Sequence, residues 1–156
     1  MALRTIRTEG DEILRKNCRK VQELTPRVKE LICDMLDTMY EADGVGLAAP
    51  QVGVLKRIVV IDVGEGPLVM VNPEIKETFG EQTADEGCLS VPGMAGQVTR
   101  PQRVIATYCD ENGDEYEIEA QDLLARAICH EVDHLDGKLY IDIVEGPLRS
   151  VEAKEE

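Results

Sequence analysis

Apolar residues recur at Val28, Leu31, Ile32, Met35, Leu36 and Met39, the spacing of one helix face. Thr25-Pro26 supplies the start of that helix, Thr as N-cap and Pro at the first helical position. Gly44 is its expected stop. Residues 57–63 enclose the run Ile58-Val59-Val60-Ile61 and read as a buried strand, with a second strand at 68–75 after the turn Gly64-Glu65-Gly66-Pro67. Strands at 104–108 and 116–119 flank Asn112-Gly113, a hairpin signal. A helical pattern returns over 121–136 and ends at Gly137. Strands and helices do not alternate regularly, which points to an α+β fold. Antiparallel or mixed sheets should pack around the C-terminal helix. With no repeat or linker, residues 1–156 read as a single domain.

Composition narrows the function classes. A net charge of −14 argues against a nucleic-acid surface, which needs clustered Lys and Arg. No Trp, four Tyr and one Phe give no platform for stacking bases. The apolar run at 58–61 is far short of the roughly 18 residues that span a bilayer, so no membrane association is expected. Met1-Ala2-Leu3-Arg4 lacks the apolar core of a secretory signal, and the expected location is cytoplasmic. The five Cys, at 18, 33, 88, 109 and 129, are an odd set better read as reduced thiols than as a disulfide framework.

The sharpest chemistry lies in the last helix. His130-Glu131-Val132-Asp133-His134 matches H-E-x-x-H, which sets the two imidazoles about 40° apart on one face, within reach of one ion. They are the only two His in the chain. A catalytic ion needs a third protein ligand and an open position. The absence of a third His excludes the three-His zinc arrangement, and the short stretch after His134 leaves little room for a helix carrying a ligand Glu. Cys129 projects about 100° away from His130. Cys33 falls within the first helix, Cys18 in a basic segment and Cys109 in a strand. Cys88, in the turn-rich Asp85-Glu86-Gly87-Cys88-Leu89-Ser90-Val91-Pro92, is favoured by spacing without being fixed by it.

Three segments in order resemble peptide deformylases: Gly44-Val45-Gly46-Leu47-Ala48-Ala49-Pro50-Gln51, then Glu86-Gly87-Cys88-Leu89-Ser90, then His130-Glu131-Val132-Asp133-His134-Leu135. The resemblance implies a hydrolase that removes the formyl group from N-formylmethionyl nascent peptides. It implies Cys88, His130 and His134 as ligands of one divalent ion, usually Fe2+ in the cell, with Zn2+, Ni2+ or Co2+ as substitutes. An ion-activated water would attack, with Glu131 as general acid/base. The Gln51 amide and the Leu89 backbone N–H would serve the oxyanion. Gly44, Gly46 and Gly87 would face the substrate, and Val45, Leu123 and Ala127 would line a methionine pocket. Members often carry Gln where this chain has Cys129, and many an aromatic or Arg where it has Ala95. Some dock on the ribosome through a C-terminal helix, for which the short acidic end Val151-Glu152-Ala153-Lys154-Glu155-Glu156 is poorly suited. Asp133 is expected to pair with Arg100 or Arg103. A general zinc endopeptidase and a non-catalytic relative are the competing readings; the first lacks a usual third ligand, and the second has no need for Glu131.

Overall fold

Helix α1 (Pro26–Glu41) begins where Thr25 Oγ1 accepts the Val28 N–H at 3.2 Å. It ends before Gly44. Asp43 takes the left-handed position (φ 58°), its N–H donating to the Tyr40 carbonyl and that of Gly44 to the Met39 carbonyl. This is the Schellman arrangement with Asp in the place usually held by Gly, so the expected stop at Gly44 falls one residue late. The computed structural model describes residues 2–151, and the acidic end at 152–156 lies outside the described residues.

Beyond α1 the chain forms β1 (Gly46–Ala48), a 3-10 turn (Ala49–Val52), β2 (Ile58–Ile61), β3 (Leu68–Phe79), β4 (Gln82–Cys88), β5 (Val91–Arg100), β6 (Arg103–Cys109) and β7 (Glu115–Gln121). Helix α2 (Asp122–Leu135) and β8 (Glu145–Ser150) complete it. One sheet has the order β1-β2-β3-β6-β7, the other β4-β5-β8, and all neighbours pair antiparallel. The fold is α+β, with the H-E-x-x-H residues on α2.

All four residues of β2 are buried because helices cover both faces of its sheet. Val59, Ile61, Met70, Val104 and Ala106 pack with Ala125, Ile128, Val132 and Leu135 of α2. Ile58, Val60, Val69 and Val71 pack with Val28, Leu31, Ile32, Met35 and Met39 of α1. Each fully buried aliphatic side chain stabilises the fold by about 1.5–3 kcal/mol relative to exposure, so α2 is firmly seated on the sheet.

Two expectations need correction. Residues 85–92 are mostly strand, with only Leu89 and Ser90 turning between β4 and β5. Gly87, Gly93 and Gly96 and the largely exposed face of β4 hide the two-residue period. The β6–β7 hairpin pairs Tyr108 with Tyr116, as the pattern implies, but through a five-residue loop. Gly113 has φ 89° and Asn112 is not left-handed, so the two-residue turn that needs both is absent. No helix among the described residues is long and apolar enough to cross a membrane.

Candidate active site

His130 and His134 stand one turn apart on α2, their ring centroids separated by 5.1 Å. Cys88, the last residue of β4, brings its Sγ to 3.3 Å from His134 Nε2. One ligand atom from each of the three lies within 4.8 Å of the others, the sole group of that kind among the described residues. Cys129 is buried in the core between α2 and the sheet and takes no part. The Ser90 N–H and the Gln51 amide point at the Cys88 sulfur from 3.4 and 3.6 Å. A thiol and two imidazoles converging on one point suit a borderline-soft divalent ion.

Behind His130 stands Glu86, a residue that no spacing in the sequence marks. Glu86 is buried and accepts from Arg100 Nε (2.8 Å), Arg100 Nη2 (3.0 Å), Arg126 Nη1 (2.6 Å) and His130 Nδ1 (2.9 Å). Burial opposes its charge, but His130 and Arg100 outweigh that and hold its pKa down at about 2. At His130 burial likewise opposes charge, and the Cys88 thiol and Glu86 raise the pKa to about 10. His134 differs: burial holds its pKa well below normal, and its Nδ1 has no protein partner. Glu86 lies two residues before Cys88 and also reaches α2, but the irregular pairing between the two positions and the exposed face of β4 leave no period in the sequence that would mark it. Arg100 also donates to Asp133 at 2.7 Å, the first of the two expected pairings; Arg103 pairs with Glu119. Arg126 of α2 is buried as well, with its guanidinium on Glu86.

Glu131 is buried, with Oε1 lacking any protein partner. Desolvation pushes its pKa up to about 7. Its carboxylate fits because Gly46 has no side chain, since a Cβ there would overlap Glu131 Oε2. Gln51 is fixed at both ends of its amide. Oε1 accepts the Ala48 N–H at 2.9 Å, and Nε2 donates to Ser90 Oγ at 3.0 Å. Gly44 performs a similar spatial service, since a Cβ there would stand 2.7 Å from Leu89 Cδ1.

These groups open onto a cleft of about 520 Å³. Gly44, Val45 and Gly46 line one side, and Glu86, Gly87, Cys88 and Leu89 the other. The cleft thus runs between β1 and β4, each the edge strand of its sheet. Leu123 and Ala127 line it as well, with Val45 and Leu123 about half exposed and Ala127 buried. Gln51, His130 and Glu131 reach the cleft, while His134 is buried outside its lining.

Residues 3–149 match the family model described as polypeptide deformylase. The peptide deformylase of Agathobacter rectalis is 70% identical over 151 residues, covering 97% of this chain and 96% of the relative. That of Clostridium botulinum is 60% identical over 142 residues, covering 91% and 97%. The crystal structure of peptide deformylase from Thermotoga maritima aligns with a TM-score of 0.90 at 42% identity, over 92% of this chain and 99% of that one. The structure of the Ehrlichia chaffeensis peptide deformylase in complex with actinonin gives 0.91 at 39% identity, over 93% and 90%.

Proposed function

The chain belongs to the polypeptide deformylase family, and from that premise we propose which of its residues carry the reaction. It is a metal-dependent hydrolase that removes the N-formyl group from formylmethionyl nascent peptides. Cys88, His130 and His134 hold the divalent ion, a reading supported by their convergence within 4.8 Å. When bound, such an ion supplies Lewis acidity and lowers the pKa of a coordinated water towards about 7. Ferrous iron is the resident ion in this proposal, with zinc, nickel or cobalt able to replace it, since thiolate and imidazole accept all four.

Glu131 moves the proton. It takes one from the attacking water and returns it to the nitrogen of the leaving methionine. A buried carboxyl that reaches the cleft beside His130 is placed to do both. The Gln51 amide and the Leu89 N–H donate to the oxygen that gains charge as the formyl carbon becomes tetrahedral. The peptide lies along Gly44, Val45, Gly46 and Gly87 as an added strand between two sheet edges, which leaves backbone groups free to pair with it. Its methionine side chain rests on Val45, Leu123 and Ala127. Half-exposed Val45 and Leu123 at the cleft mouth are apolar surface that such a ligand would cover.

The observation that carries this reading is the shared cleft of Cys88, His130, Glu131 and Gln51. The test pairs Cys88→Ala with Cys129→Ala, measuring metal per chain and formate released from a formyl-Met peptide. Cys88→Ala should lose both and Cys129→Ala neither; equal metal content in the two would overturn the ligand set.

A further inference from the structure

The N-terminal segment joins neither sheet, yet two of its N–H groups are committed to the site. Arg7 N–H donates to the Gln51 carbonyl and Glu9 N–H to the Ser90 carbonyl, each at 2.7 Å. Gln51 sits in the 3-10 turn that follows β1 of the first sheet, while Leu89 and Ser90 form the turn between β4 and β5 of the second. Across this junction the Gln51 amide also reaches Ser90 Oγ.

The segment is itself held in place. Asp34, buried on α1, accepts the Ala2 N–H at 2.8 Å and Arg4 Nε at 2.9 Å, and Thr38 Oγ1 accepts the Arg4 N–H. The Arg7 guanidinium pairs with Asp11 at 3.0 Å and lies over Gly53, where a Cβ would come within 2.8 Å of its Nη2. Asp11 N–H closes a turn on the Thr8 carbonyl at 3.0 Å, with Gly10 at φ 105°. Leu14 anchors the far end in the interior.

We infer that Arg7-Thr8-Glu9 is a backbone clamp that sets the separation of Gln51 and Leu89, making it a positioning element of the deformylation reaction. The inference rests on the oxyanion roles proposed above for Gln51 and Leu89. Two donors carried by different sheets must converge on one oxygen to within a fraction of an ångström, and an error of about 1 Å can cost about 100-fold in rate. One short segment bonded to both turns supplies that constraint without touching substrate or ion.

Proline substitution tests it, because proline deletes a backbone N–H. Glu9 is the second residue of the Thr8–Asp11 turn and Gly10 the third, with positive φ, a type II pattern that accepts proline at the Glu9 position. Glu9→Pro is compared with Glu9→Ala, and Arg7→Pro with Arg7→Ala, so that side-chain effects cancel. Each proline variant should lower kcat on a formyl-Met peptide about 10- to 100-fold relative to its alanine control. KM and metal per chain should match the control, and the thermal midpoint should fall by only a few degrees, as one lost buried hydrogen bond implies. In metal-free protein, amide exchange at Ala48 and Ser90 should quicken about tenfold.

In a Gln51→Ala background, Arg7→Pro should add little, since both act on the same donor. Unchanged kcat and exchange in both proline variants would overturn the clamp. So would a loss seen equally in the alanine controls, or one that only follows loss of metal or of folded protein. Full kcat in Gln51→Ala alone would overturn the oxyanion reading instead, so the two failures are distinguishable.

Discussion

Glu86 Oε1 stands 2.9 Å from His130 Nδ1. With Nδ1 turned to the carboxylate, Nε2 is the imidazole atom left for an ion, and the ring cannot rotate without breaking a buried charged contact. Glu86→Gln should therefore weaken metal binding about 10- to 100-fold, measured by competition with a chelator. Glu86→Ala should also cost about 3–5 kcal/mol in denaturant unfolding, because Arg100 and Arg126 would be left buried without their shared partner. Unchanged metal affinity in Glu86→Gln would show that α2 alone orients His130.

Gly46 predicts a different loss. A methyl group there would fall on the Glu131 carboxylate, so Gly46→Ala should displace Glu131 while leaving Cys88, His130 and His134 in place. The expected result is a normal metal content with kcat lowered about 100-fold, the lower part of the range for a lost general base. Wild-type kcat with a raised KM would mean that Gly46 serves only the substrate backbone.

Tyr140 stacks on His130, with ring centroids 6.1 Å apart, and its buried hydroxyl has no protein partner. Such a group costs about 1–3 kcal/mol. Tyr140→Phe should keep the stacking and raise unfolding stability by about 1 kcal/mol, with metal content unchanged. A drop in stability would instead reveal a water bridging that hydroxyl.

Asp34 gives the N-terminal segment a pH dependence. Burial opposes its charge, but the Ala2 N–H and the Arg4 guanidinium outweigh that and hold its pKa below the ordinary carboxyl value. A depressed folded-state pKa contributes stability that is present above the unfolded value near about 3.9. That contribution disappears as pH falls through the lower folded value. Denaturant unfolding from about pH 6 to about pH 2 should show a shallower acid loss for Asp34→Asn than for wild type; parallel curves would exclude the linkage.

Long periodic elements were legible in the sequence, and so was the chemistry concentrated in α2. Val28 to Met39 marked α1 because one face is buried, and the β2 run was apolar throughout because two helices cover it. His130, Glu131 and His134 follow from spacing on one helix. Cys88 was only favoured, because its partners lie more than forty residues away and spacing within the chain carries no distance across it. Glu86 escaped for a related reason: an acidic residue in a polar strand looks solvated until Arg100, Arg126 and His130 are folded around it. The Arg7 and Glu9 contacts are backbone bonds, to which side-chain patterns are blind.

The central claim is that Glu131 moves a proton at a site whose ion is held by Cys88, His130 and His134. The direct measurement is metal per chain and formate release, taken together on Glu131→Gln loaded under the same conditions as wild type. One ion per chain with turnover reduced by about two to four orders of magnitude is the predicted result. Loss of the ion in step with activity would make Glu131 a ligand, and undiminished turnover would remove it from the proton path; either would contradict the account.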